Sequence, residues 1–308
     1  MLQITDLRKA YGSREVLRGV DLTVTPGQIV GLVGANGAGK TTLISIAAGL
    51  RPASSGSVRL AGVDVLRYPR RAQRHLGLAP QELGIYPTLT VADNFAFFAR
   101  LAGLSHAAVR ARVAEVADAL GLAAVLEQRA GELSGGQKRR LHTGMAVLHQ
   151  PDVLFLDEST VGADVQSRAG ILDVVRRLAA AGAAVVYTTH YLAELEQLEA
   201  TVAILHEGRI VATGSTGDLI ARFASAAVHL RFDGPAPALP GWDVCSSLAS
   251  TSIAGTDAAA IVAHTLAALG EDAHRLTGID IVRPSLEHAY LALTGRPLIE
   301  EDSDAVAA

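Results

Sequence analysis

Only one cysteine, Cys245, stands in the 308-residue sequence. A lone thiol excludes an internal disulfide and any metal site built from clustered cysteines, so Cys245 is read as a small core or surface residue. Long apolar runs are missing as well. A membrane-spanning helix needs roughly 18 or more consecutive apolar residues, and the alanine-rich run from Leu178 to Tyr187 is short and broken by Gly182. The first residues, Met1-Leu2-Gln3-Ile4-Thr5-Asp6, carry an acid early and lack both a basic region and an apolar signal core. No secretory signal is visible, and a cytoplasmic chain is expected. Nor is there an excess of positive charge: 27 Lys and Arg against 31 Asp and Glu leave a net charge of -4, with both signs mixed along the chain. The electrostatic footprint of a nucleic-acid binder is absent, and no nucleic-acid partner is expected.

What is present is apolar material in regular patterns. The sequence is 49% hydrophobic, enough for one large domain and a smaller one. Leu2, Ile4 and Leu7 alternate, then Val20, Leu22 and Val24 alternate before the turn at Pro26-Gly27, which predicts a β-rich edge. Ile29 to Val33 is a short buried-type strand, and a helix is expected from Lys40 to Leu50. From Thr90 to about Leu126 the pattern turns helical, with Phe95, Phe98 and Leu101, then Val109, Val113, Val116 and Leu120, as a core-facing stripe. Strands return at Val153–Leu156, Ala184–Tyr187 and Val202–Leu205, each after helical sequence, the alternation of a parallel α/β sheet. Composition shifts near Gly217. Beyond it come a strand at Val228–Phe232, a linker or long loop at Gly234–Gly241, a strand at Ile253–Gly255, a helix at Ala258–Leu269, a strand at Ala273–Val282 and a last helix at Ser285–Leu293. These predict a small α+β unit, and residues 299–308, acidic and small, are expected to be disordered.

Gly34-Ala35-Asn36-Gly37-Ala38-Gly39-Lys40-Thr41 matches G-x-x-x-x-G-K-[ST] between a strand and a helix. Its glycines let backbone N–H groups turn inward to cradle phosphate oxygens at a helix N-terminus, where the peptide dipoles favour an anion. Lys40 then faces the β- and γ-phosphates, and Thr41 offers its hydroxyl to Mg²⁺, with Thr42 next in line. An ordinary glycine-rich turn is the competing reading, and the strand before and helix after it argue against that. Val153 to Leu156 followed by Asp157-Glu158 supplies a second half-site: Asp157 is placed for Mg²⁺ and Glu158 for the attacking water, as a general base. Alone, a strand ending in two acids is more often structural, and its weight comes from the phosphate loop.

Between these motifs lies Leu133-Ser134-Gly135-Gly136-Gln137. Together the three, in this order, resemble the ATP-binding subunit of an ATP-binding cassette (ABC) transporter. The resemblance implies further residues. The family's Mg²⁺- and water-contacting glutamine matches Gln81 in Ala79-Pro80-Gln81-Glu82, its γ-phosphate histidine matches His190 in Thr188-Thr189-His190, and its adenine-stacking aromatic matches Tyr11. It also implies that Ser134, Gly135, Gly136 and Gln137 bind the nucleotide held by an opposite subunit, so that two chains pack head to tail. One stretch departs from the family: Ser159 stands where proline is usual and Ala163 where leucine is usual, while Asp164 is retained.

The implied fold is that of a P-loop NTPase of the ABC type, in the α/β class: a β-edge subdomain, a RecA-like core and a helical subdomain over about residues 84–150. The ATP-binding domain then covers residues 1–217, and a C-terminal α+β domain, regulatory or dimer-supporting, covers 218–298. The run Thr188 to Glu194, the segment Val202 to Ile210 and the closing Pro284 to Arg296 are similar to exporter subunits of the daunorubicin-resistance type. The resemblance therefore implies ATP and Mg²⁺ as cofactors, an ATPase reaction, and pairing with a second copy or a paralogous ATPase. It further implies transmembrane permease subunits as partners, and attachment to the inner face of the cell membrane through them. The transported molecule would be a drug, antibiotic or lipid-like compound. An importer ATPase and a soluble non-transport ABC-type ATPase are the alternatives. A permease-docking groove is expected beside Gln81–Thr90, with Leu83, Ile85, Tyr86 and Leu89.

Overall fold

The computed structural model describes residues 1–237, 239, 244–246, 250–255 and 258–298. The chain divides into two compact units, Met1–Thr216 and Gly217–Ala308. The first opens with strands β1 (Leu2–Tyr11) and β2 (Arg14–Val24), an antiparallel hairpin. Its two alternating apolar sets meet across the ladder, Leu2 opposite Val24, Ile4 opposite Leu22 and Leu7 opposite Val20, so one face is apolar and buried. Strand β3 (Ile29–Val33) and helix α1 (Lys40–Ala47) follow, then β4 (Ser55–Leu60), β5 (Val63–Asp64) and the short α2 (Pro69–Ala72). Strands β1, β2, β4 and β5 form a four-stranded sheet of order β2-β1-β4-β5.

After strand β6 (Leu76–Ala79) the helical stretch from Thr90 to about Leu126 holds two α-helices, α3 (Val91–Leu101) and α4 (His106–Ala119), and α5 (Gly135–Val147) follows it. The two are separate helices because Gly103, at φ 91°, ends α3, and its N–H and that of Leu104 bond back to Arg100 and Ala99. Ser105 then caps α4, accepting from Ala108 N–H. The same chemistry at Gly49 ends α1 at Ala47, short of the expected Leu50. Phe95, Val109, Val113, Val116 and Leu120 are buried as the stripe requires, whereas Leu101 is exposed.

Strand β7 (Val153–Asp157), helix α6 (Val165–Ala180), strand β8 (Ala184–Thr188), helix α7 (Leu192–Gln197), and strands β9 (Thr201–His206) and β10 (Arg209–Ser215) complete this unit. The second sheet has the order β10-β9-β3-β8-β7-β6, parallel except for the antiparallel edge pair β10 and β9. Strands β3, β7 and β8 are buried at every residue, which is why they read as continuous apolar runs. One apolar core joins both sheets to α1, with Leu7, Leu17, Leu32, Ile46, Phe155 and Val186 among its members.

Helix α8 (Thr216–Phe223) begins where the units divide. The second unit contains β11 (Ala226–Phe232), β12 (Val244–Ser246), β13 (Ser250–Gly255), helix α9 (Ala258–Leu269), β14 (Leu276–Val282) and α10 (Leu286–Thr294). Its sheet is antiparallel, in the order β12-β13-β11-β14. A small core of Val228, Leu230, Phe232, Ile253, Ile261 and Leu269 joins α9 to the sheet. Strand β14 starts at Leu276 rather than Ala273. Residues 270–275 wind into a tight turn instead, in which Arg275 pairs with Asp272 at 2.9 Å and bonds the carbonyls of Asp233 and Pro235. Part of the expected linker Gly234–Gly241 and the whole of 299–308 lie outside the described residues.

Candidate active site

Sheet order decides where the chemistry gathers. Strands β3, β8, β7 and β6 are successive neighbours, all parallel, so their carboxyl ends share one edge. The phosphate loop leaves β3, Thr188 ends β8 with His190 two residues on, Asp157 ends β7 with Glu158 next, and Gln81 lies two residues past β6. In open α/β sheets this is where ligands bind. An open cleft of about 400 Å³ lies there, lined by Asn36, Gly37, Gly39, Lys40, Thr41, Thr42, Gln81, Glu158 and His190, with Ala35, Arg14 and Val16.

The loop is shaped for an anion. Gly39 precedes α1 at φ 111°, a conformation that side chains resist, and a Cβ there would lie 2.8 Å from Leu17. No side chain caps the N-terminus of α1 and no acid stands in its first turn, so its amides face the cleft uncompensated. Lys40 Nζ folds onto the loop, donating to the carbonyls of Gly34 at 2.5 Å and Ala35 at 3.3 Å. Burial pulls the Lys40 pKa down, an effect the Glu158 and Asp157 carboxylates oppose. Gly34 and Ala38 shape the loop from beneath, both buried and outside the lining.

Across the cleft, Thr41 Oγ1 lies 3.3 Å from Asp157 Oδ2, and Thr188 Oγ1 donates to Asp157 Oδ1 at 2.6 Å. Glu158 takes a left-handed backbone, φ 51°, fixed by its N–H donating to the Thr188 hydroxyl at 2.9 Å. Its two carboxylate oxygens are divided between two partners. Gln81 Nε2 donates to Oε2 at 2.8 Å, and His190 Nε2 lies 2.6 Å from Oε1. The loop after Glu158 turns tightly without the usual proline: Val161 N–H bonds Glu158 O, and Ala163 N–H bonds Thr160 O. Asp164 then caps α6 by accepting from Ser167 N–H at 2.8 Å.

The Ser134 segment stands elsewhere. Helix α5 starts at Gly135, with Ser134 as its N-cap; Ser134 Oγ accepts from Gln137 N–H and Gln137 Oε1 accepts from Ser134 N–H. Ser134 and Gly135 are exposed, and none of Ser134, Gly135, Gly136 and Gln137 lines the cleft. Gly136 is buried against α6, where a Cβ would lie 2.2 Å from Asp164 Oδ2. Tyr11 is also outside the lining. It is exposed, takes a hydrogen bond from Arg51 at 3.1 Å, and has Lys9 Nζ 4.9 Å from its ring centre.

Sequence reasoning missed four residues here. Arg14 and Val16 reach the cleft from β2, close to the loop in space and far from it in any motif. Thr188, though quoted beside His190, binds the Asp157 carboxylate and the Glu158 backbone N–H. Arg139 donates to the carbonyls of Gln81 at 2.6 Å and Val161 at 3.0 Å, joining α5 to the loops that carry Gln81 and Glu158. Its position two residues past Gln137 on a capped helix was the available signal.

Comparison with known proteins decides the family. The family model described as ABC transporter matches residues 17–161. The linearmycin resistance ATP-binding protein LnrL of Bacillus subtilis (strain 168) is 34% identical over 97% of this chain and 99% of its own length. This chain belongs to the ABC transporter family. It is an ATP-binding, ATP-hydrolysing subunit of that family. The daunorubicin/doxorubicin resistance ATP-binding protein DrrA of Streptomyces peucetius is 33% identical, covering 99% of this chain and 96% of DrrA. Among solved structures, an ATP-binding subunit of an ABC transporter aligns with a TM-score of 0.68 and 29% identity, over 72% of this chain and 93% of that one. A dimeric post-hydrolysis state of the ATP-binding cassette MJ0796, bound to ADP and Pi, shares the fold at a TM-score of 0.64 and 22% identity, over 70% of this chain and 98% of that one.

Proposed function

We propose that this ABC subunit hydrolyses Mg·ATP at two sites shared between two copies and so drives export of a drug-like, antibiotic or lipid-like molecule through a separate permease. One observation carries the two-site reading. Lys40, Thr41, Gln81, Glu158 and His190 line a single cleft, while the exposed Ser134–Gly135 segment lies outside it. A head-to-tail pair gives that segment a nucleotide to meet.

Within the cleft, the loop amides and Lys40 hold the phosphates, and a Lys40 ammonium released from its carbonyls becomes the cation facing them. The donor set fits Mg²⁺: Thr41 Oγ1 and Asp157 are hard oxygen donors, and among the described residues no cluster of three His, Cys, Asp or Glu forms a metal cage, as suits a cation that keeps waters and phosphate oxygens. When bound, Mg²⁺ neutralises charge on the β- and γ-phosphates. Glu158 accepts the proton of the attacking water, with Gln81 and His190 steering its two oxygens.

The export reading is supported by the relatives, which are named for drug resistance and, in the protein from Paraburkholderia xenovorans (strain LB400), 34% identical over 96% of this chain and 98% of its own, for Nod factor export. Among the described residues no helix is long and apolar enough to cross a membrane, so a permease would be a separate chain and would hold this one at the inner face of the membrane. A groove of about 960 Å³ suits its docking, lined by Arg70, Arg74, Leu78, Phe98 and Leu101 among others. None of Leu83, Ile85, Tyr86 and Leu89 lines it. Tyr86 joins it through ring contacts, 5.2 Å from Phe97 and 6.1 Å from Phe98. The second unit, with its own core, serves regulation or dimer support. Co-purification from detergent extracts tests the assignment: an integral membrane partner is expected with the wild type and is lost in Tyr86→Glu. Recovery with ribosomes or DNA instead would overturn it.

A further inference from the structure

Glu194 is a buried acid that none of the chemistry above uses. It lies on α7, four residues past His190, and is 1% exposed. Its Oε2 accepts three hydrogen bonds, from Tyr187 OH at 2.8 Å, Thr189 Oγ1 at 2.7 Å and Thr160 Oγ1 at 3.1 Å. Its Oε1 faces Arg168 Nε at 3.2 Å as an ion pair. A charge withdrawn from water is tolerated only with such a set of partners.

The partners come from four segments of the chain. Tyr187 is in β8, Thr189 directly precedes His190, Thr160 is two residues past Glu158, and Arg168 is in α6. Tyr187, Thr160 and Thr189 are all buried, so none has water as a substitute partner. The hold on the histidine turn is double: Thr189 Oγ1 also accepts from Tyr191 N–H at 2.9 Å, and the Arg168 guanidinium lies 4.3 Å from the Tyr191 ring centre. Burial, and then the neighbouring Glu194 charge, push the Tyr187 pKa upward, so its phenol stays a donor. One carboxylate oxygen thus ties the turn bearing His190 to the loop behind Glu158. The two side chains that meet at 2.6 Å in the cleft are set on these same two segments.

We propose that Glu194 is a positioning residue for ATP hydrolysis, fixing the distance between His190 and Glu158 by cross-linking Thr189 to Thr160. It is buried and does not line the cleft. The inference rests on the ATPase reading of the cleft and adds to it a residue outside the cleft.

Steady-state Mg·ATP hydrolysis and fluorescent-ATP binding by the purified full chain test it, in wild type, Glu194→Ala, Glu194→Gln and Thr189→Val. Misplacing reacting groups costs turnover, so Glu194→Ala and Thr189→Val are expected to lower kcat by about 10- to 100-fold, while KM and nucleotide affinity stay within about threefold of wild type. Glu194→Gln, which keeps the volume and one acceptor oxygen, is expected to recover part of the loss. A general structural role would instead lower affinity together with kcat. Wild-type kcat in Thr189→Val, or equal losses in affinity and kcat, overturns the inference. Thr189→Val is nearly isosteric and removes only the hydroxyl that donates to Glu194 and accepts from Tyr191 N–H, so it decides the matter even where Glu194→Ala fails to fold. A wild-type chain that hydrolyses no Mg·ATP overturns the ATPase reading itself, which separates the two failures.

Discussion

His190 Nε2 stands 2.6 Å from Glu158 Oε1, although the two residues follow different strands and lie 32 positions apart. Neighbouring parallel strands β7 and β8 bring them together, and Gln81 from β6 takes the other oxygen of the carboxylate. Glu158→Gln keeps this shape and removes the carboxylate proposed as proton acceptor. General-base loss costs about 100- to 10,000-fold in rate, so kcat for Mg·ATP is expected to fall by that order while fluorescent-ATP affinity is retained. Phosphate-release assays check it. A wild-type rate would remove Glu158 from the role of base.

How much of this was legible in the sequence depended on whether a residue's role is local. The phosphate loop and the Asp157-Glu158 pair were readable because a loop that turns its own amides inward, and a buried strand ending in acids, are written in consecutive residues. Gln81 and His190 needed the family resemblance, since nothing in their own neighbourhoods shows that β6 and β8 flank β7. Arg139 and Arg14 escaped altogether, because their partners are backbone carbonyls or a cleft formed by distant segments. Helix ends were lost where a glycine at positive φ stopped a run, as at Gly103, while apolar spacing alone suggested continuation.

Gly136 tests the packing beneath the Ser134 segment. A methyl group there meets Asp164 Oδ2 at 2.2 Å and Ser167 Oγ at 2.3 Å, the pair that caps α6. The Asp164 and Ser167 side chains must shift to admit it, which disturbs the cap of α6. Gly136→Ala is expected to lose about 1–3 kcal/mol of stability, the usual cost of overpacking, measured by urea denaturation. An unchanged midpoint would show that α5 and α6 adjust freely.

His142 sets an acid limit on the first unit. Burial, and then the nearby Arg139 charge, lower its pKa to about 4, so the folded imidazole stays neutral at pH values where an unfolded one takes a proton. The folded pKa lies below the unfolded one. Stability from this group is therefore whole above about pH 6.5 and is lost progressively as pH falls toward 4, by about 3 kcal/mol in all. His142→Phe is expected to flatten that part of the stability profile, read from denaturation midpoints between pH 7 and pH 4. A variant with the wild-type slope would place the acid sensitivity in other groups.

The central claim is that the Ser134 segment of one copy completes the phosphate cleft of another. Light scattering of Glu158→Gln with saturating Mg·ATP measures this directly, because a site that binds without turning over holds the pair closed. The expected mass is about twice the 32.0 kDa of the chain, returning to a single copy when Ser134→Arg is added. A mass of 32.0 kDa for Glu158→Gln with bound ATP, or a dimer indifferent to Ser134→Arg, would contradict the account.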